Sequence, residues 1–440
     1  MAIKQEVPRL SLFPATAEVD KKGCLLIGGC DTVGLAEEFG TPLYLFDESD
    51  LRGKCAEFIN VFGEYYPGTA VAYACKTFMN SALALLLKEE GLGLDVVSGG
   101  ELSIAHSVGF PLDKVYFHGN NKSAEELKLA LEWKVGRIVL DNFYEMAMLS
   151  EIAQEQDCVV DVLMRITPGV DPHTHKYITT GTVDSKFGFS LSAGEEAIAK
   201  VMSAPNLNLV GLHFHLGSQV FGVEPYQEAI GLMLNLAAAM KRKNGFELEE
   251  LDIGGGFALQ YTVDKPSPPV SFYAAKIAST ITAKCRELKL ELPQLVIEPG
   301  RAIVGRAGVA LYRIGATKDI PGVRRYVSVD GGMADNIRPA LYDAKYEAVV
   351  ANKMLAKETE LVTVAGKFCE SGDILIRDIK LPQVVAGDVL AVPGCGAYCL
   401  AQASNYNTSL KVAVVLVKDG KARLIRRRET YEDLTRDDVV

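Results

Sequence analysis

Reactive side chains follow short apolar runs in the first two thirds of this sequence. Lys76 ends the run VAYAC, where a lysine that merely reached solvent would be poorly placed, and its amine could condense with a carbonyl group. A strand-end lysine directed at solvent is the common alternative. Other polar residues stand in or at the ends of similar runs: Asp95, Ser98, His118, Asn120, His213 and His215. Their recurrence at run ends favours one shared site.

Two glycine segments follow the last two of these runs. LDIGGGF places Gly254, Gly255 and Gly256 where backbone N–H groups can approach a phosphate, although a tight strand-to-helix turn accounts equally well for the pattern. EPGR adds Gly300 beside Glu298. A carboxylate near a phosphate site suits pyridoxal phosphate, because its hydrogen bond keeps the pyridine nitrogen protonated. Glu298 is the candidate for that role, and a salt bridge to an arginine is the alternative.

Two H-x-H pairs raise the question of a metal centre. His213 and His215 lie two residues apart in a strand-like run, so both face the same side, and His173 and His175 form a second pair. No H-E-x-x-H segment or closely spaced carboxylate set accompanies them, so we expect no metal. A pyridoxal site instead needs one flat ring stacked on the cofactor, which His213 or His215 could supply.

The segment FCESGD places a thiol, Cys369, next to Glu370 and near Asp373. A thiol with an adjustable pKa could donate a proton to a carbanion. A lone cysteine is more often a small buried hydrophobic residue. These residues alone leave both interpretations open.

Eight Val/Ile/Leu-rich runs between residues 69 and 298 alternate with turns and helix-like stretches, which predicts parallel strands and crossover helices. They are TAVAYACK, GLDVVS, KVYFHG, RIVLDN, DVLMRI, LVGLHFH, LEELDIGGG and QLVIEPG. Eight strands close a (β/α)8 TIM-like barrel of ~250 residues, and a doubly wound open sheet is the less favoured alternative. Because barrel enzymes react at the carboxyl ends of their strands, the polar run ends should meet.

Strand-like runs separated by turns predict an all-β second domain beyond residue 310. They are VALYRI, YVSVD, EAVVA, DVLAVP and KVAVVLV, the last followed by a KDG turn and KARLIRR, as in a hairpin. We predict a barrel over residues 41–309 and a β-sandwich or β-barrel domain over residues 310–440. Residues 1–40, with the apolar run CLLIGG, are expected to join the β domain.

Composition limits the possible partners. A formal charge of −10 argues against a broad nucleic-acid surface. No apolar run approaches the ~18 residues of a membrane helix, and the first residues carry no export signal. Nine cysteines without a C-x-x-C pair suit a reducing cytoplasm. We expect a soluble cytoplasmic protein that acts on a small molecule and binds neither nucleic acid nor a membrane.

Ten segments together resemble the diaminopimelate decarboxylase family, which belongs to the alanine-racemase-like (fold type III) class of pyridoxal-phosphate enzymes. They are YACKTFMN, GLGLDVVSGGEL, HGNNKS, DSKFGF, GLHFHLGSQ, LDIGGGF, EPGRAIVG, VDGGMADNIRPALYDAKYEA, CESGDIL and GAYCLAQASNYN. They cover both predicted domains in order. The resemblance implies a barrel with a β domain, bound pyridoxal 5'-phosphate and a homodimer with shared active sites.

The resemblance also implies roles for individual residues. Lys76 matches the lysine that holds the cofactor, Glu298 the carboxylate at the pyridine nitrogen, and Cys369 the proton donor from a second subunit. His215, three residues before Ser218, matches the stacking ring. The phosphate surroundings are implied to be Ser218, Gly255, Gly256, Gly300 and Tyr398. The substrate contacts are implied to be Arg301, Arg338, Tyr342, Glu370 and Tyr398, with Arg301 also bordering the cofactor.

The implied reaction converts meso-2,6-diaminopimelate to L-lysine and CO2. Ornithine and lysine, the substrates of related decarboxylases, end in an ammonium alone, whereas diaminopimelate adds a distal carboxylate. Arg301 and Arg338 could bind that carboxylate, with Glu370 on the distal ammonium. Two segments depart from the usual wording, KTFMN after Lys76 and GCGAYCLAQ around Tyr398. A decarboxylase of ornithine, lysine or carboxynorspermidine and a racemase of the same fold are the alternatives.

Overall fold

The computed structural model describes residue 7, residues 9–171, residue 181 and residues 184–439. The chain divides into two compact units. The barrel unit comprises Cys55–Ala258 and Ser267–Gly300, and the β unit comprises Met1–Lys54, Leu259–Pro266 and Arg301–Val440. No helix in the described part is long and apolar enough to cross a membrane.

Eight parallel strands close the barrel, and a ninth, the two-residue strand Phe189–Ser190, pairs with the end of Val160–Thr167. The eight are β1 (Ala70–Ala74), β2 (Gly93–Val96), β3 (Val115–Phe117), β4 (Arg137–Leu140), β5 (Val160–Thr167), β6 (Leu207–His213), β7 (Glu250–Asp252) and β8 (Gln294–Ile297). Each strand pairs with the next, and β8 pairs with β1, so the sheet closes. The predicted (β/α)8 barrel and its eight runs are confirmed.

A helix follows each of the first seven strands. These helices are α1 (Ser81–Glu89), α2 (Gly99–Ser107), α3 (Ala124–Glu132), α4 (Phe143–Glu155), α5 (Gly194–Met202), α6 (Glu224–Asn244) and α7 (Val270–Leu288). The first four begin after a Ser or Asn whose side chain accepts a backbone N–H of the first turn. These caps fix where the strand-to-helix loops end.

The barrel interior contains an apolar layer. It consists of Ala72, Tyr116, Val139, Leu163, Val210 and Val296, which come from six different strands. A filled interior is the usual state of such a barrel. Polar side chains are therefore accommodated where the strands end.

The β unit is built on one mixed sheet. Its order is Ile374–Leu381, Glu360–Ala365, Arg324–Val329, Gly308–Ile320, Leu43–Asp47, Ala413–Lys418 and Lys421–Arg426, with Val389–Val392 pairing to Gly308–Ile320 and to Val349–Val350. The predicted hairpin is confirmed, and its turn residues Asp419 and Gly420 have φ of 50° and 73°. Positive φ at both positions is what a type I′ turn requires.

The remaining elements of the β unit are short. Glu18–Val19, Leu25–Ile27 and Cys30–Asp31 form a separate three-stranded sheet, so the run CLLIGG contributes its strand there. The helices are Thr32–Glu38, Arg301–Val304, Arg338–Tyr342 and Tyr431–Thr435, and Glu48–Tyr65 runs from this unit into the barrel unit.

The strand Leu43–Asp47 lies in the predicted barrel range, 41–309, whereas the structure places it in the β unit. It pairs with Gly308–Ile320 and with Ala413–Lys418, so residues 41–54 cluster with the β unit rather than with the barrel. Residues 301–309 do the same. All five residues of this strand are buried, and a run buried on both faces carries no alternation that indicates which sheet it joins.

Candidate active site

Lys76 lies in a short turn, Cys75–Thr77, directly after β1. Its Nζ donates a hydrogen bond of 2.6 Å to Oδ2 of Asp95 in β2. Asp95 is fully buried, whereas 35% of the Lys76 side chain is exposed. This lysine is therefore anchored on a buried carboxylate, which distinguishes it from a lysine that only reaches solvent.

Glu298, directly after β8, is buried between two imidazoles. Nε2 of His118 lies 2.6 Å from Oε1 of Glu298, and Nε2 of His213 lies 3.6 Å from Oε2. The two imidazole rings meet edge to face, with centroids 4.7 Å apart. Both of these partners of Glu298 are imidazoles rather than an arginine, which favours the cofactor role over the salt-bridge alternative.

The pKa of Asp252, at the end of β7, depends on the charge of Glu298. Burial raises the pKa of Glu298, but the charge of His118 and the contact with His213 outweigh it and hold that pKa well below its usual value. Burial and the charge of Glu298 raise the pKa of Asp252 well above its usual value. The opposite shifts place the negative charge of the pair on Glu298 in preference to Asp252.

The same cluster contains four side chains of metal-binding types. Ligand atoms of His118, His213, Asp252 and Glu298 all lie within 4.8 Å of one another. Glu298 already has the imidazole of His118 2.6 Å away, and its charge raises the pKa of Asp252. These pairings favour a cluster of mutually paired side chains over a cation site. His173 and His175 lie outside the described residues.

His215 is held as a neutral ring just beyond β6. Its Nδ1 accepts a hydrogen bond of 3.1 Å from the backbone N–H of Gly255, which leaves the ring proton on Nε2. Burial lowers the pKa of His215 well below its usual value, and the charge of Lys76 acts in the same direction. Burial also lowers the pKa of His213, to about 3.

We expect His213 and His215 to stay neutral from pH 8 to pH 5, because protonation would bury a second positive charge near Lys76. The measurement is a long-range ¹H–¹⁵N spectrum of the cofactor-free protein, assigned with His213→Gln and His215→Gln. The nitrogen shifts should not move over this range. Midpoints near the ordinary histidine value of about 6.5 would contradict the burial argument.

The glycine loop after β7 packs so closely against its neighbours that side chains would not fit there. A Cβ on Gly254 would lie 2.6 Å from Nδ1 of His215, and one on Gly256 would lie 2.6 Å from the carbonyl oxygen of Gly217. Their φ values of +68° and +101° also favour glycine. A Cβ on Gly255 would lie 2.2 Å from the carbonyl oxygen of Glu298. The N–H groups of Gly254 and Gly255 already donate to Asp252 and His215, which supports the tight-turn interpretation, and the phosphate role of this glycine cradle stays a prediction.

Ser218 and Gly300 are the other predicted phosphate residues of the barrel unit. Ser218 is half-buried and lies three residues beyond His215, next to the Gly217 carbonyl that contacts the glycine loop. Gly300 lies after β8, where a Cβ would be 2.5 Å from Cγ2 of Thr77 beside Lys76. The loops after β1, β6, β7 and β8 thus converge.

The arrangement fits pyridoxal phosphate. The glycine loop follows β7, one of the last two strands, whose loops commonly bind phosphate in such barrels, and the neutral ring of His215 offers a flat face. Oε1 of Glu298 is buried and receives no aligned hydrogen bond from the described residues, although Nε2 of His118 is close. A carboxylate with its pKa held low and an unfilled acceptor matches the need of a pyridine N–H.

The β unit brings Arg301, Arg338 and Tyr398 around one further residue, Tyr261. Both arginines are buried. Nη1 of Arg301 donates to the Tyr261 hydroxyl at 2.7 Å, and its guanidinium lies 4.6 Å from the Tyr398 ring centroid. The Arg338 guanidinium lies 4.8 Å from the Tyr261 ring centroid. Two cations thus share one tyrosine.

The other predicted residues of the β unit are placed differently. Tyr342 ends the helix that begins with Arg338, and its hydroxyl accepts a hydrogen bond of 3.0 Å from Gln402. Cys369 and Glu370 are exposed, and the backbone N–H of Cys369 donates to Oδ1 of Asn407 at 3.0 Å. The alternative of a buried structural cysteine is therefore wrong for Cys369.

Sequence reasoning assigned no role to several residues that the structure places in these clusters. His118 and Asp95 were recognised at strand ends, but their pairing with Glu298 and Lys76 was not predicted. Tyr261 lies in Leu259–Pro266, which leaves the barrel unit and carries no strand-end signal. Its role became visible only through its contacts.

A closed parallel barrel whose strand ends carry an anchored lysine, a glycine cradle and a buried carboxylate flanked by imidazoles defines a barrel enzyme of the pyridoxal-phosphate class. Residues 49–305, more than half of the chain, match the family model of the pyridoxal-dependent decarboxylases, pyridoxal binding domain.

Individual relatives indicate a narrower family within this class. A diaminopimelate decarboxylase of Bacillus subtilis (strain 168) is 47% identical over 96% of this chain and 97% of its own length. The crystal structure of diaminopimelate decarboxylase from M. jannaschii in complex with L-lysine has a TM-score of 0.91 at 37% identity, covering 97% of this chain and 98% of that one. The enzyme from Helicobacter pylori, also complexed with L-lysine, gives 0.85 at 31% identity, covering 92% and 98%.

The chain belongs to the pyridoxal-dependent decarboxylases and, within them, to the diaminopimelate decarboxylase family. This confirms the resemblance seen in its sequence segments. It also confirms pyridoxal phosphate as the expected cofactor.

Proposed function

We propose that this protein removes one carboxyl group of meso-2,6-diaminopimelate as CO2 and forms L-lysine, the last step of lysine biosynthesis. The observation that carries the substrate is the pair of buried arginines, Arg301 and Arg338, around Tyr261. A substrate with only a distal ammonium would instead bring a further positive charge towards these cations. At ~1.5 to 3 kcal/mol for each charge-assisted contact, two contacts give about 10²- to 10⁴-fold preference for a distal carboxylate.

The bound cofactor supplies an electron sink for the pair left behind by CO2. Lys76 holds it covalently, His215 stacks on its ring, and Glu298 retains the proton of its pyridine nitrogen. Its phosphate binds at the glycine cradle. The phosphate residues are Ser218, Gly255, Gly256, Gly300 and Tyr398, with Arg301 at their border.

Residues of the β unit bind the substrate and complete the reaction. Arg301 and Arg338 bind the distal carboxylate, Glu370 binds the distal ammonium, and Tyr342 and Tyr398 line the same site. Cys369 donates the proton that replaces CO2 on carbon. Covering of Cys369 by the other subunit would exclude water as a competing proton donor.

We further propose a homodimer in which each Cys369 serves the site of the other subunit. Cys369 and Glu370 are exposed on their own subunit, which supports a role across an interface. We place the protein in the cytoplasm, because all nine cysteines are free thiols.

The test of the reaction is direct. Purified enzyme loaded with pyridoxal phosphate is incubated with meso-diaminopimelate, and CO2 and L-lysine are quantified. Ornithine, L-lysine and carboxynorspermidine are tested in parallel. Lysine formation from meso-diaminopimelate at the highest kcat/KM supports the proposal. Faster decarboxylation of another amine, or exchange of the α-hydrogen without CO2 release, would assign the chain to a related decarboxylase or a racemase.

Mixing two inactive variants tests the shared site. Lys76→Ala and Cys369→Ala each remove one essential group from every active site. If Cys369 acts across the dimer, a mixed dimer has one site with both groups intact. Random reassortment makes half of the dimers mixed, so activity should recover to about a quarter of wild type. No recovery after verified exchange of subunits would place Cys369 in the site of its own chain.

A further inference from the structure

Tyr346 connects Arg338 to a buried thiol. Nη1 of Arg338 donates a hydrogen bond to the Tyr346 hydroxyl, which lies 3.5 Å from Sγ of Cys399. A guanidinium can only donate, so the hydroxyl oxygen accepts from Arg338, and the sulfur is the acceptor that the described residues offer to the hydroxyl proton. All three side chains are buried. The guanidinium is thus fixed through a chain of two hydrogen bonds.

Tyr261 holds the same guanidinium from its ring face. The Arg338 guanidinium carbon lies 4.8 Å from the Tyr261 ring centroid and 5.5 Å from that of Tyr346. The two rings meet at 82° with centroids 5.4 Å apart. The Tyr261 hydroxyl meanwhile accepts from Arg301. Tyr261 therefore sets the spacing of the two arginines, and Tyr346 sets the orientation of Arg338.

The charge at this position is incompletely balanced. Arg338 forms no ion pair with any carboxylate in the described part of the chain, and a buried cation without such a partner is costly. Burial lowers the pKa of Arg338, but Tyr261, Tyr346 and Cys399 raise it above its ordinary value, so the cation persists. Burial raises the pKa of Cys399, but its hydrogen bond with Cys395 and the charge of Arg338 lower it to about 7.

We infer that Tyr261 and Tyr346 are positioning residues that hold Arg301 and Arg338 as a preformed carboxylate clamp, with Cys399 fixing the Tyr346 hydroxyl. The clamp selects ligands that carry a carboxylate at the end distant from the reacting carbon. This inference rests on the proposed function, because it takes the distal carboxylate of the substrate as the occupant. It assigns to three further residues a share in the choice of substrate.

The test uses two ligands that differ by one carboxylate. L-lysine retains the distal carboxylate of diaminopimelate, whereas 1,5-diaminopentane has none. Tyr346→Phe removes the hydroxyl and keeps the ring. We expect this variant to raise the KM for meso-diaminopimelate and the Kd for L-lysine about 10-fold, to change kcat less than about 2-fold, and to leave the Kd for 1,5-diaminopentane unchanged.

Two controls separate positioning from general damage. Tyr66→Phe also removes a buried hydroxyl, one that donates to the carbonyl oxygen of Pro293 at 2.7 Å in the barrel unit. It should leave all three constants unchanged. Cys399→Ala should weaken L-lysine binding, whereas Cys399→Ser, which retains an acceptor, should restore most of it.

Calorimetry with the loaded enzyme measures both ligands without turnover, so the clamp is tested even if meso-diaminopimelate is not the substrate. Failure of lysine formation in the wild type with intact lysine selectivity would overturn the proposed reaction and retain the clamp. Equal weakening of L-lysine and 1,5-diaminopentane by Tyr346→Phe, or no weakening of either, would overturn the clamp. Equal affinity of the wild type for both ligands would do the same.

Discussion

Replacement of Lys76 by alanine is expected to abolish covalent retention of pyridoxal phosphate and to lower kcat by at least about 10³-fold. The reason is positional, because Asp95 holds the Lys76 ammonium 2.6 Å away at the strand end where the glycine cradle and Glu298 meet. The measurement is the absorbance band of the cofactor at about 420 nm before and after reduction with borohydride. The peptide that carries the reduced cofactor is then mapped. The label should fall on Lys76 in the wild type and be absent from the variant.

Lys76→Arg is the matched control for this experiment. It keeps a cation beside the buried Asp95, so it corrects for the cost of leaving that carboxylate without its partner. A guanidinium does not form the covalent link, so the arginine variant should be as inactive as the alanine variant. Substantial activity in Lys76→Arg would show that Lys76 acts through its charge, and would remove it from the covalent role.

The barrel could be predicted because its strands are buried on both faces. Such strands read as continuous Val/Ile/Leu runs, and the turns between them carry Gly or polar residues. For the same reason the sequence did not show which sheet contains the run LYLFD, the strand Leu43–Asp47. A fully buried run fits a barrel strand and a β-domain strand equally well. Its partners, Gly308–Ile320 and Ala413–Lys418, lie more than 250 residues away, beyond any local signal.

The residues of the candidate site could be predicted from the sequence, but the pairs that they form could not. The rule that strands of a barrel present their carboxyl ends together predicted that Lys76, His215 and Glu298 share one region. Which imidazole approaches Glu298 depends on the stagger of β3, β6 and β8, which composition does not encode. The structure gives His118 at 2.6 Å and His213 at 3.6 Å, and directs His215 to Gly255 instead.

The arginine cluster was the least accessible to sequence reasoning. The family resemblance supplied Arg301 and Arg338, but Tyr261 and Tyr346 are ordinary tyrosines until their contacts are known. Tyr261 belongs to Leu259–Pro266, a short excursion of the chain from the barrel unit into the β unit. Excursions of this kind are determined by tertiary packing, so a local sequence pattern does not predict them.

Glu298→Gln is expected to lower kcat by roughly 10²- to 10³-fold while the cofactor stays bound through Lys76. The carboxylate is an anion at working pH because His118 and His213 hold its pKa well below its usual value against the effect of burial. A neutral amide has nearly the same shape, but it cannot keep a proton on the pyridine nitrogen. The measurement is kcat together with the cofactor absorbance.

Glu250→Gln is the matched control, because Glu250 is a buried glutamate at the opposite end of β7, paired with Arg137 at 2.6 Å. That variant should lose stability against urea but keep its kcat, since it removes a buried charge pair away from the glycine cradle. Glu298→Gln should show the reverse, a large loss of kcat without a comparable fall in the unfolding midpoint. If Glu298→Gln retained wild-type turnover, the anion at this position would be structural. The role of Glu298 in keeping the pyridine nitrogen protonated would then have to be given up.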